Sequence, residues 1–127
     1  LGCPAKNSSN LTELVSVDVV IGDGDEAVNG KNAVVHYIGW VFDGSKDDHK
    51  GAKFDSSRDR GLPFAFTLGK PGVIEGWAKG VLGMKAGGVR VLTIPAAMAY
   101  GDEEAAGGRI PANSALVFEI ELLRVRG

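Results

Sequence analysis

Seven aromatic side chains are the chemical resource of this chain: Tyr37, Phe54, Phe64, Phe66, Trp77, Tyr100 and Phe118. They fall in separate segments, so a fold that gathers them makes an aromatic cup. Taken one at a time, each reads as ordinary core. Tyr37 and Tyr100 argue for more, because a buried hydroxyl needs a polar partner. Asp55 adjoins Phe54, which sets a carboxylate against an apolar wall. Apolar walls with a few polar groups are the usual composition of a small-ligand site.

Covalent chemistry finds little support. The sequence has no GxSxG elbow, no Walker loop and no CxxC pair. His36 lies in a strand-like run beside Tyr37 and reads as a satisfied sheet histidine. A lone histidine without a nucleophile motif supports no hydrolase. His49 follows Asp47 and Asp48 in a polar, glycine-flanked segment. Consecutive ligands on such a segment read as a solvated loop, not a metal site. No metal or other cofactor is expected.

These residues must be positioned by the elements around them. Residues 73–84, VIEGWAKGVLGM, are the one clear helical stretch. Pro71 and Gly72 form a turn before it. Ile74, Trp77 and Val81 share one face. Glu75 and Lys79 are spaced for a surface ion pair, and Gly83 is placed to stop the helix. Alternating and β-branched runs predict strands over 14–21, 32–42, 53–57, 64–68, 89–94 and 114–125. Gly39 interrupts the second of these and signals a bulge or a close backbone approach. Residues 43–52 read as an exposed loop, and 58–63 as a turn. Residues 95–113 are long and rich in Ala and Gly, as functional loops often are. Strands without regular βαβ alternation argue an α+β fold with an antiparallel sheet curled around the helix.

The bulk numbers bound the function. One domain is the prior for 127 residues, and the 44% apolar share is ordinary for a soluble fold. Net charge is −2, from 14 Lys+Arg and 16 Asp+Glu, so nothing predicts a nucleic-acid partner or an anionic membrane surface. Cys3 is the single cysteine, which excludes an internal disulfide. It precedes a polar run, PAKNSSN. Two readings stand for residues 1–10: a tether below a lipid anchor at Cys3, or a disordered end. The first implies a periplasmic, membrane-anchored protein and the second leaves a cytoplasmic one. Residues 11–127 form the domain.

VVHYIGW, KFDSSRDR, PFAFTLG, VIEGWAKGV, GMK, LTIP, AYG and LVFEIELL, in that order, resemble the FKBP family of peptidyl-prolyl cis-trans isomerases. The ordered set spans about Leu14 to Val125. The resemblance implies a five-stranded antiparallel half-barrel sheet wrapped around one short α-helix. It implies a monomer that isomerises X-Pro bonds in folding polypeptides and binds macrolides such as tacrolimus and rapamycin. The site it implies is Tyr37, Asp55, Phe66, Trp77, Tyr100 and Phe118 as catalytic residues. Phe54, Arg60, Phe64, Val73, Ile74 and Ile110 complete it as ligand-binding residues. Trp77 would floor the cup. The Ile74 N–H and the Tyr100 hydroxyl would hold substrate carbonyls, and Asp55 would face the twisting one, held by Arg60. The alternative is a non-catalytic module that holds a proline-containing partner segment. Three departures from the family pattern bear on substrate preference: the insertion at 45–52, Gly72, and the charged loop 102–109.

Overall fold

The computed structural model describes residues 14–47, 49–69, 73–101, 110 and 113–126. Its strands are β1 (Val15–Val20), β2 (Asn32–Phe42), β3 (Lys50–Ser56), β4 (Phe64–Thr67), β5 (Val89–Ile94) and β6 (Leu116–Arg126). The helices are α1 (Ser57–Arg60) and α2 (Glu75–Gly80). All strand pairs are antiparallel, in the order β1-β5-β6-β2-β3, with β4 also on β2. The sheet therefore holds six strands in five positions. β3 pairs with the end of β2 near Ile38–Phe42, and β4 pairs with its start near Asn32–Val35. Five strands were expected, and the sixth is β4, which shares β2 with β3.

The two eleven-residue strands, β2 and β6, form the spine. Leu116, Phe118, Ile120 and Leu122 point inward from β6 and are buried, as their alternation predicts. On β2, Val35 and Tyr37 point the same way. Leu92 and Ile94 of β5 complete the floor on which α2 rests.

The small residues of α2 set how closely it lies on the sheet. A Cβ on Gly76 would come within 2.5 Å of Ile94, and one on Gly80 within 2.6 Å of Leu92. Two glycines in a helix cost roughly 1 kcal/mol each, and here they let backbone pack directly on β5. Trp77 and Val81 are buried on the inward side. The Glu75–Lys79 ion pair forms at 2.8 Å.

The helix is half as long as the sequence predicts. Ile74 is extended and serves as N-cap, and Val81 ends the helix. Beyond it, Gly83 donates to the Ala27 carbonyl and Met84 accepts from the Ala27 N–H. That neighbouring segment takes the backbone groups a longer helix would need. Two further corrections follow. β3 begins at Lys50, inside the expected loop, and α1 replaces the expected turn at 58–63. α1 is fixed by Ser56, whose side chain accepts from the Asp59 N–H, and by Gly61 at φ 72°. β1 forms within the strand expected over 14–21. All six of its residues are exposed, at the edge of the sheet beyond β5.

Candidate active site

β2, β3, β4, α2 and β6 each send one or two rings to a common point. Tyr37 and Trp77 meet edge-on at 4.9 Å between centroids, and Trp77 and Phe118 do so at 5.2 Å. Phe64 and Phe66 reach Trp77 at 5.7 and 5.6 Å. Trp77 is 4% exposed, and among the described residues its Nε1 finds no hydrogen-bond partner. The floor is thus an indole ring whose one polar atom, Nε1, is buried. Above it opens a hollow of about 140 Å³, lined by Tyr37, Phe54, Asp55, Phe64, Val73, Ile74, Trp77, Tyr100 and Phe118.

Gly39 makes this assembly possible. A Cβ there would lie 2.7 Å from both the Phe118 and Phe54 rings, which pack edge-on at 5.5 Å. The β2–β3 register also shifts beside Gly39. Both readings of that glycine, bulge and close approach, hold.

One rim is polar. The Tyr37 hydroxyl donates to Asp55 Oδ2 at 2.5 Å. Arg60 donates to Asp55 Oδ1 and, at 2.9 Å, to the Tyr37 oxygen, while the Ser56 N–H adds a 2.8 Å bond to Asp55. Burial alone would raise the Asp55 pKa. Hydrogen bonds from Tyr37 and Arg60, with the guanidinium charge, outweigh it and hold the carboxyl below its ordinary range. Burial raises the Tyr37 hydroxyl, and its bond to Asp55 adds to that against the pull of Arg60. Burial raises Tyr100 too, helped by the charge of Asp55. Tyr100 thus feels Asp55 across the opening.

Behind the rim, Ser57 is fully buried and ties β2 to α1. Its Oγ accepts from the Tyr37 N–H at 2.8 Å and lies 2.8 Å from His36 Nδ1. His36 is a satisfied sheet histidine. His49 stacks on Phe42 at 4.9 Å, and the described residues hold no cluster of three or more His, Cys, Asp or Glu suited to a metal.

Nine of the twelve site residues expected from sequence line the hollow. The other three do not. Phe66 lies one layer back, 6.0 Å from Phe64 and nearly parallel to it, where it braces the wall. Arg60 acts on the rim through Asp55 and Tyr37. Ile110 is buried in the same core cluster as Tyr37, Trp77 and Phe118. Sequence reasoning missed Gly39 as the seat of two wall rings and Ser57 as the anchor of Tyr37. Gly72, the loop 102–109 and Cys3 lie outside the described residues. No helix of the described residues is long and apolar enough to cross a membrane.

Comparison with known proteins places these features in one family. Residues 24–123 match the family model described as FKBP-type peptidyl-prolyl cis-trans isomerase. An FK506-binding protein of Neisseria meningitidis (serogroup A) is 50% identical over 115 residues, 91% of this chain and 98% of that one. An FK506-binding protein of Streptomyces anulatus is 44% identical over 113 residues, 89% of this chain and 86% of that one. The crystal structure of AtFKBP13 aligns with a TM-score of 0.75 at 39% identity, covering 90% of this chain and 93% of that one. With an ordered motif set, a matching fold and a family match over most of its length, this chain belongs to the FKBP-type peptidyl-prolyl cis-trans isomerase family.

Proposed function

We propose that this protein accelerates cis-trans isomerisation of X-Pro bonds in polypeptides. Resonance holds the C–N amide planar behind a barrier of about 18–20 kcal/mol, so the uncatalysed step takes tens to hundreds of seconds. No bond breaks, and neither nucleophile nor metal is required. The planar amide is more dipolar than the twisted one. A dry apolar wall therefore disfavours the ground state relative to the transition state. A thousandfold acceleration needs only about 4 kcal/mol.

The observation that carries this reading is the sealed Trp77 floor, ringed by Tyr37, Phe64 and Phe118 and open on one side. In this reading the prolyl ring lies on Trp77. The Ile74 N–H and the Tyr100 hydroxyl hold flanking carbonyls, since both residues line the opening. A bare carboxylate beside the twisting carbonyl would repel its oxygen. Here Asp55 is hydrogen-bonded to Tyr37 and Arg60, which spreads its charge. Asp55 therefore acts mainly by holding the Tyr37 ring and the Arg60 head in place. The same hollow is proposed to bind macrolides such as tacrolimus and rapamycin.

The test is an X-Pro peptide isomerisation assay with peptide affinity measured in parallel from Trp77 fluorescence. Catalysed isomerisation that falls at least tenfold in Trp77→Leu supports the reading. Peptide binding without any acceleration overturns it and leaves a proline-binding module.

A further inference from the structure

The floor of the hollow rides on an element with little hold of its own. α2 has six residues, two of them glycine, and its N-cap, Ile74, gives no side-chain hydrogen bond. A helix this short takes its order from what it packs against. Trp77 Nε1 has no hydrogen-bond partner among the described residues, so no bond of its own aims the indole. At the far end of α2 a side chain reaches it from the sheet. One terminal nitrogen of Arg90, on β5, donates to the Gly80 carbonyl at 2.8 Å and to the Leu82 carbonyl at 3.0 Å. Its Nε donates to Asp18 Oδ1 on β1 at 2.6 Å, and the Arg90 side chain is only 13% exposed. A single planar group thus joins β1, β5 and the end of α2.

We propose that Arg90 is a positioning residue for Trp77, aimed by Asp18. The proposal rests on the isomerase reading and names what sets the depth of its floor. Gly80 and Trp77 belong to one hydrogen-bonded turn, since the Val81 N–H donates to the Trp77 carbonyl at 3.1 Å. Gly80 stands three residues on, a rise of about 4.5 Å. Two opposed constraints meet there. Leu92 stops Gly80 from moving closer to the sheet, because a Cβ on it would come within 2.6 Å of that side chain. Arg90 stops it from moving away. Both come from β5, two residues apart and so on one face of the strand. Carbonyls at a helix end have no partner within the helix, and a rigid donor fork takes two of them here. The bonds that Gly83 and Met84 make with Ala27 hold the chain after the helix, not the helix itself.

The test compares Arg90→Met, Arg90→Lys and Asp18→Asn in the intact protein. Leu122→Val is the control, a core loss at the level of Val35 rather than of the hollow. All are assayed where melts show each variant fully folded. Arg90→Met should lower kcat/KM for an X-Pro peptide by about tenfold, as expected for a displaced floor. Arg90→Lys and Asp18→Asn should each lose less, and Leu122→Val should keep wild-type kcat/KM despite its lower Tm. With 5-fluorotryptophan incorporated, the Trp77 fluorine resonance should move in Arg90→Met and stay in Leu122→Val. Wild-type kcat/KM with an unmoved resonance in folded Arg90→Met overturns the proposal, as does an equal loss in Leu122→Val. Should Arg90→Met fail to fold, wild-type kcat/KM in both Arg90→Lys and Asp18→Asn overturns it. If the wild type accelerates no peptide, the isomerase reading fails, and the fluorine resonance then judges the positioning on its own.

Discussion

Replacing Gly39 with Ala tests the architecture at its tightest point. The added Cβ would sit 2.7 Å from a carbon of each of two buried wall rings, Phe54 and Phe118. Ordinary contact begins at 3.4 Å, so each ring must yield by about 0.7 Å. Overpacking of a well-filled core costs about 1–3 kcal/mol. The substitution also removes chain freedom from the unfolded state, which offsets about 0.4–1 kcal/mol. The net expectation is a loss of up to about 2.6 kcal/mol, or a fall in Tm of up to about 10 °C for a domain of this size. Both rings wall the hollow, and displacements near 1 Å cost up to a hundredfold in rate. We expect kcat/KM to fall by about tenfold. Thermal melts by circular dichroism and a prolyl peptide assay read the two effects. Adding Phe54→Leu should recover part of the stability by making room. Wild-type Tm together with wild-type kcat/KM in Gly39→Ala would show that neither ring is seated on this glycine.

Other outcomes follow from the same geometry. Trp77→Ala and Phe118→Ala each leave a core cavity and should lose about 3–5 kcal/mol in urea unfolding. Gly80→Ala gains helix propensity but drives a methyl to 2.6 Å from Leu92, so it should lower rather than raise Tm. Asp55 has a depressed pKa in the fold, so its stabilisation is present above its unfolded value and is lost as pH falls through the folded one. Melts of wild type and Asp55→Asn should keep their full difference from pH 7 down to about the ordinary carboxylate value and converge only as the pH passes below the depressed folded one. Tacrolimus should compete with peptide for the hollow, and Trp77 fluorescence should report both.

The strands were legible because one side of most of them is buried and the other wet. β6 shows this in full, with Phe118 and Ile120 inward and Glu119 and Glu121 outward. Gly39 was legible as a local anomaly, but the two rings it seats come from β3 and β6, far away in sequence. The length of α2 was not legible, since its end is set by bonds to Ala27 and not by its own residues. Ile110 was placed at the site by the family resemblance alone, and in the fold it packs in the core cluster that also holds Tyr37, Trp77 and Phe118. β1 shows that alternation alone does not prove burial. Val15, Val17 and Val19 alternate with polar residues until Val20, yet all lie exposed at the sheet edge.

The proposal above has a dry aromatic hollow turn a prolyl amide without covalent or acid–base chemistry. The pH profile of kcat/KM for X-Pro isomerisation tests it most directly. Asp55 is held below its ordinary range, and Tyr37 and Tyr100 are held above theirs, so none of the three changes charge between about pH 5 and 9. The expected acceleration is flat across that window and equal in light and heavy water. A bell-shaped profile with a solvent isotope effect, or no acceleration at any pH, would contradict it.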